Sequence, residues 1–237
     1  MSSSTAHLAH HFDDVEQQYD AAQLGMWLFL ATEVLFFGGL FAGYALYRYW
    51  YPEAFVVGSH RLDLWLGGIN TAVLLASSLT MALAVRAAQT SDSRGTANFL
   101  GWTILLGSVF LGVKAYEYHH KFEERLVPGR NFSLSEKGDK SNFPDRDGSS
   151  STANGKLDLS PFSPGHVELF FSFYFALTGL HATHMVIGIA ILVVLVVAAR
   201  RGTFSADYFT PVEITGLYWH FVDIVWVFLF PLLYLIR

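Results

Sequence analysis

The sequence contains no cysteine and carries little charge. Without cysteine, the chain cannot form disulfide bonds, zinc–thiolate sites, iron–sulfur clusters or copper–thiolate centres. Charged residues make up 15% of its 237 residues, against about 25% in an ordinary soluble domain. It also lacks a run of Lys and Arg, so no nucleic-acid partner is predicted. Apolar residues make up 52% of the chain, and this balance predicts that a lipid bilayer surrounds it.

Five hydrophobic segments are long enough to cross a bilayer, which takes about 20 mostly apolar residues in a helix. The predicted spans are residues 24–47, 64–85, 99–118, 167–199 and 214–236. The fourth would be about 50 Å long as a helix, which exceeds a hydrocarbon core of about 30 Å. We therefore predict an all-α fold, an integral membrane bundle of five transmembrane helices within residues 24–237.

Two polar segments accompany the predicted spans. Residues 1–23 contain no basic stretch followed by an apolar one, so they are not predicted to be a signal peptide. Residues 119–166 are rich in Ser, Gly, Asp, Lys and Pro, which is typical of a flexible surface loop without a catalytic role. If the basic residues of this loop are counted, the distribution of Lys and Arg favours an N-terminus outside the cytoplasm.

Ionisable side chains inside a bilayer are costly, so each one indicates either a function or a partner. Glu33, in the first span, is either a carboxyl that exchanges protons or contacts lipid, or a neutral acid with one interhelical hydrogen bond. His220 and Asp223 are three residues apart in the fifth span and share a side of the helix. They form either a proton relay, or a structural pair in which Asp223 finds a donor on another helix.

Two further patterns suggest metal ligands. His181 and His184 are three residues apart, so they are either a metal or heme ligand pair or two structural histidines facing neighbouring helices. Glu117 and His120 form a Glu-x-x-His pair, which is half of the motif found in carboxylate-bridged di-iron sites. No second Glu-x-x-His occurs in the sequence, so no metal site is predicted.

The five spans, in order, resemble cytochrome c oxidase subunit III. The sequence LFLATEVLFF at residues 28–37 is similar to the family's Glu-containing helix, and residues 70–81 and 114–118 resemble its next two helices. The sequence TGLHATHMVIG at residues 178–188 is similar to its helix with two histidines. The most specific match is GLYWHFVDIVW at residues 216–226, which resembles its last helix.

The resemblance implies an accessory subunit without a redox centre. Heme and copper would belong to partner subunits, and this chain would hold no metal or other cofactor apart from bound phospholipid. Subunit I would be its direct partner, with subunit II and others in the same complex. Glu33 matches the family's membrane-embedded carboxyl. The family's buried polar positions between helices match a second set of residues: Glu117, His181, His184, Glu213, His220 and Asp223.

Five spans resemble the shorter bacterial form of the family, which implies the bacterial plasma membrane and a cytoplasmic N-terminus, against the count of basic residues. The function implied is support of a proton-pumping heme–copper terminal oxidase, by stabilising subunit I, binding lipid and assisting proton uptake. Two alternatives stay open. One is a subunit III-like accessory protein of a nitric oxide reductase system, and the other is an independent membrane enzyme or proton channel.

Overall fold

In the computed structural model, the structure describes His10, residues 12–129 and residues 164–236, and this part of the chain contains six helices. Five of them are long and apolar enough to cross a membrane, which confirms the predicted five-span helical bundle. The helices are α1 (Val15–Trp50), α2 (Pro52–His60), α3 (Leu64–Gln89), α4 (Ser93–Glu123), α5 (Pro164–Arg200) and α6 (Thr210–Tyr234).

The short helix α2 was not predicted from the sequence. It has 9 residues, begins with Pro52 and is too short to produce a hydropathy signal of its own. Phe55 of α2 packs edge-on against Phe170, with ring centroids 5.5 Å apart. The helix therefore covers the start of α5, where Phe170 is fully buried.

The long helices extend beyond the apolar spans, and this corrects two predicted boundaries. α1 begins at Val15, where the side chain of Asp14 caps it by accepting from the backbone N–H of Gln17. The polar segment 1–23 is therefore helical from Val15 onward. α4 continues to Glu123 and α5 starts at Pro164, so the connection is shorter than the predicted 119–166. Hydropathy detects only the part of a helix that lies in the hydrocarbon core of the bilayer. The polar ends of these helices give no such signal.

Residues 130–163 of that connection lie outside the described residues, and so does the prediction that they form a flexible loop. The described ends of the connection lie close together, because the backbone N–H of Gly129 donates to Glu168 Oε1 at 2.8 Å. On the opposite side of the bundle, two short turns also meet. There the N–H of Ala206, between α5 and α6, donates at 2.8 Å to the Oγ of Ser91, between α3 and α4.

Helices α3 to α6 surround the core, and Trp219 of α6 shows how tightly they pack. A Cβ added at Gly107 of α4 would come within 3.0 Å of the Trp219 ring, and one at Gly188 of α5 within 2.9 Å. The indole N–H donates to Ser77 Oγ on α3 at 3.1 Å. One tryptophan thus contacts all three other helices, and two glycines provide the space for its ring.

Helix α1 lies at the periphery of this core. It packs against α5 and α6 but makes no contact with α3 in the part of the chain that the structure describes. Tyr44 of α1 is fully buried and donates to the backbone carbonyl of Leu232 on α6. Most of the other large apolar side chains of α1 face outward, where lipid or another subunit would cover them.

Candidate functional site

Glu33 and His184 form an interhelical pair between α1 and α5. Glu33 Oε2 lies 3.2 Å from His184 Nε2, and the two side chains are 18% and 13% exposed. The other ring nitrogen, Nδ1, lies 2.9 Å from the carbonyl oxygen of Leu180. Because a carbonyl oxygen can only accept a hydrogen bond, we assign a proton to Nδ1.

With a proton on Nδ1, two arrangements would leave the pair without net charge: a neutral Glu33 beside a neutral His184, or a doubly protonated His184 beside the Glu33 carboxylate. Oε2 lies close to the ring nitrogen, but it has no partner with hydrogen-bond geometry among the described residues. A pair without net charge costs less within the membrane than a single unpaired charge.

The pair opens into a pocket of about 490 Å³. The pocket lies between α1, α5 and α6, and its other lining residues are Met26, Phe29, Ile187, Ile191, Thr215 and Tyr218. Ile187 and Ile191 are exposed on the outer face of α5. Apolar walls around one polar spot suit an apolar chain that carries, or lies beside, a hydrogen-bonding group.

Glu213 belongs to a smaller polar cluster at the start of α6. Its Oε2 accepts from the hydroxyl of Tyr19 at 3.0 Å and from Gln23 Nε2 at 3.2 Å. Gln23 also donates to the Tyr19 hydroxyl at 3.0 Å. These bonds join the N-terminal part of α1 to α6, on the side of the bundle where both helices begin. Glu213 is half-buried, so it lies at the edge of the bundle.

The most extensive polar cluster centres on Glu117 and Lys114, one turn apart on α4. Lys114 Nζ lies 2.9 Å from Glu117 Oε2. Glu117 Oε1 accepts from the hydroxyls of Tyr174 at 2.9 Å and Tyr234 at 2.6 Å. Lys114 also lies over the ring of Trp226, 5.0 Å from its centroid. Every polar group here has a partner, so the cluster joins α4, α5 and α6.

Sequence reasoning named Glu117 as a site residue, but it did not assign Lys114 to the site and missed Tyr174 and Tyr234. Two opposite charges three residues apart within one span were the available signal. His120, the other half of the Glu-x-x-His pattern, is 48% exposed and pairs with Glu124 at 3.2 Å instead. Glu117 and His120 therefore do not converge. Among the described residues, no group of three or more His, Asp or Glu side chains could hold a metal ion.

His181 and His184 face different neighbours although they are three residues apart. His181 is buried between the rings of Phe110 and Trp226, with centroid distances of 5.4 Å and 5.1 Å. Neither of its ring nitrogens has a hydrogen-bond partner among the described residues. The two histidines therefore do not act as one ligand pair.

His220 has a partner on another helix, because its Nδ1 lies 2.7 Å from Ser78 Oγ of α3. Both carboxyl oxygens of Asp223 lack a partner with hydrogen-bond geometry within the described ranges. We expected a donor on another helix to pair with Asp223, and the described residues provide no such hydrogen bond.

The sequence matches the family model described as cytochrome c oxidase subunit III over residues 1–123 and 160–236. The unmatched residues fall in the long connection between α4 and α5. A cytochrome c oxidase subunit 3 from Thermostichus vulcanus is 31% identical over 229 residues, covering 94% of this chain and 92% of the relative. A second, from Corynebacterium diphtheriae, is 30% identical over 90% of this chain and 87% of the relative.

A quinol-oxidising complex also contributes a relative. The cytochrome bo(3) ubiquinol oxidase subunit 3 of Pseudomonas aeruginosa is 27% identical over 228 residues, covering 96% of this chain and 91% of the relative. The similarity thus extends across subunits of oxidases named for two different electron donors.

Proposed function

The chain belongs to the cytochrome c oxidase subunit III family, and we propose that, as a subunit of a heme–copper oxidase, it binds phospholipid, stabilises subunit I and supports proton uptake. In this proposal the hemes and copper lie in partner subunits and no catalytic centre lies in this chain. Subunit I is the direct partner, and subunit II belongs to the same complex. The membrane is the bacterial plasma membrane, with the N-terminus in the cytoplasm.

The observation that carries this proposal is the Glu33–His184 pair at the rim of an apolar pocket. A phospholipid acyl chain fits the apolar walls. The carboxyl and the imidazole lie 3.2 Å apart on two helices, and a proton that moves between them leaves the net charge of the pair unchanged. Lipid held in this pocket would fix the packing of α1 against α5 and α6, and through them the surface offered to subunit I.

The polar residues on the N-terminal side of the pocket support the proton-uptake part of the proposal. Glu213, Tyr19 and Gln23 are hydrogen-bonded to one another where α1 and α6 begin. Gln23 precedes Glu33 by ten residues, or about 15 Å along a helix, and Thr215 lines the pocket between them. If the N-terminus is cytoplasmic, these groups lie between the cytoplasm and the pair, on the side from which a respiratory oxidase takes up protons.

The test uses the purified oxidase with this subunit replaced by Glu33→Gln or Glu33→Ala. We expect both variants to retain less phospholipid, measured by mass spectrometry, and to lose activity after fewer turnovers than the wild type. Glu16→Gln is the matched control, because Glu16 is an exposed acid in the first turn of the same helix. Unchanged lipid content, turnover and lifetime in the Glu33 variants would show that the pair has no such role.

Purification from the native membrane tests the complex itself. Recovery with a copper-containing O₂ reductase and its heme spectrum supports the proposal. Recovery with a nitric oxide reductase would favour the alternative accessory role instead, and bound metal or activity in the isolated chain would favour an independent enzyme.

A further inference from the structure

One face of α6 is uncovered between two of its neighbours, α1 and α3. α1 packs on one flank of α6 and α3 on the other, and these two helices do not meet within the described residues. The uncovered stripe contains His220, Ile224, Phe228 and Leu232, spaced four residues apart. Ile224 and Phe228 are 54% and 58% exposed. We call this stripe, with the sides of α1 and α3 that border it, the α6 groove.

The α1 side of the groove exposes two small residues, Ala45 and Gly38. Ala45 lines a pocket that it shares with Tyr44, Arg48, Tyr49 and Leu232, which places it on the groove side of α1. Gly38 precedes Ala45 by seven residues and so lies on the same helix face. A Cβ added at Gly38 would meet no other atom within 4 Å. Such a surface allows the backbone of a further helix to approach closely, as happens at interfaces between transmembrane helices.

His220 gives the groove a polar group near its centre. It lies ten residues after the start of α6, about 15 Å along the helix and near the middle of the span. The ring is half-buried, with Nδ1 at Ser78, while Nε2 has no hydrogen-bond partner among the described residues. An acyl chain cannot supply that partner, and an unsatisfied polar group costs several kcal/mol in hydrocarbon. A side chain on a partner helix can supply it.

The hydrogen bond behind His220 leaves Nε2 able to take either role. Nδ1 lies 2.7 Å from Ser78 Oγ, and a hydroxyl can donate to the ring nitrogen or accept from it. The ring can therefore carry its proton on either nitrogen, and Nε2 can accept from an external group or donate to one. A polar side chain satisfies the ring in both cases, whereas an acyl chain satisfies it in neither.

We propose that the α6 groove docks a transmembrane helix of a partner subunit, and that this helix presents a neutral hydrogen-bonding side chain, such as a hydroxyl or amide, to His220 Nε2. This rests on the proposed function, since it requires that the chain work within an oxidase complex. It adds to that function the face of the subunit that meets the complex and the chemistry of the contact.

Photo-crosslinking in the intact complex tests the docking face. A benzophenone side chain at Ile224 should crosslink to a heme-bearing subunit after illumination. The control is the same side chain at Val194, which is equally apolar and exposed on α5 but lies outside the groove, and it should give lipid adducts. Crosslinking from Ile224 only to lipid, or to a second copy of this chain, would overturn the proposal.

A second experiment fills the groove without disturbing the fold. Gly38→Leu should lower the ratio of this subunit to heme in the purified oxidase by about tenfold after a detergent wash. Gly112→Leu is the matched control, because Gly112 is an exposed glycine on α4 with no atom near its missing Cβ, and it should leave the ratio unchanged. Equal retention of both variants would refute the docking face. If the wild-type chain itself fails to purify with an oxidase, the proposed function fails instead.

Discussion

Lys114 Nζ lies 2.9 Å from Glu117 Oε2 within a transmembrane helix, and both side chains are almost fully enclosed, at 4% and 5% exposure. Two tyrosine hydroxyls from α5 and α6 complete the hydrogen bonding of the carboxylate. The polar end of the third predicted span is therefore an internally neutral cluster that three helices share.

Breaking this ion pair from one side should destabilise the protein strongly. Lys114→Met or Glu117→Leu alone leaves an uncompensated charge in the interior, which costs about 3–5 kcal/mol. The double variant removes both charges, so it should lose clearly less stability than the two single losses combined. Thermal unfolding of the purified protein, arranged as a double-mutant cycle, measures this difference. Additive losses would mean that the two charges do not act as a pair.

The glycines beside Trp219 should not tolerate a methyl group. In the Gly188→Ala variant, the added Cβ would lie 2.9 Å from the indole ring of Trp219. Such overpacking costs about 1–3 kcal/mol. Gly179→Ala on the same helix is the control, because its Cβ would lie 3.8 Å from the Tyr118 hydroxyl. That variant should be neutral or slightly more stable. The melting temperatures of the two variants give the comparison.

The Glu33–His184 pair should behave as one unit in the lipid assay. Since the carboxyl and the ring lie 3.2 Å apart, either Glu33→Gln or His184→Phe removes the interaction between them. The double variant should therefore retain at least as much phospholipid as whichever single variant retains less. A double variant whose lipid loss equals the sum of the single losses would indicate two independent contacts.

The long connection between α4 and α5 should be replaceable. Gly129 and Glu168 are joined by a hydrogen bond of 2.8 Å, so a short linker can reach across the ends. Replacing residues 131–162 with six Gly and Ser residues should preserve co-purification with the oxidase and its turnover. A shortened chain that folds but no longer co-purifies would identify the connection as a contact with a partner subunit.

The absence of cysteine makes membrane sidedness directly measurable. Single cysteines at Gln89, at the end of α3, and at Glu123, at the end of α4, lie on opposite sides of the bundle. With a cytoplasmic N-terminus, an impermeant thiol reagent added to intact cells should label the Glu123→Cys variant alone. Labelling of the Gln89→Cys variant alone would reverse the orientation, in agreement with the count of basic residues.

The amino-acid sequence by itself determined the number, order and helical nature of the spans, because long uncharged apolar segments have few alternatives in a bilayer. It also determined the family, through local motifs such as the one around His220. It did not give the ends of α1 and α4, since their polar turns lie beyond the apolar signal. The nine-residue helix α2 was missed for a related reason, because it is too short to carry one.

Only the tertiary structure decided which polar residues meet. Spacing along one helix left open whether His181 and His184 are one ligand pair or two structural histidines, whereas in the structure one packs between aromatic rings and the other pairs with Glu33 on a different helix. Spacing likewise joined Glu117 to His120, whereas the partners of Glu117 include Tyr174 and Tyr234, far away in the chain. Helical periodicity fixes the face on which a side chain lies, but its neighbours depend on the azimuth and depth at which separate helices pack, which no local pattern encodes.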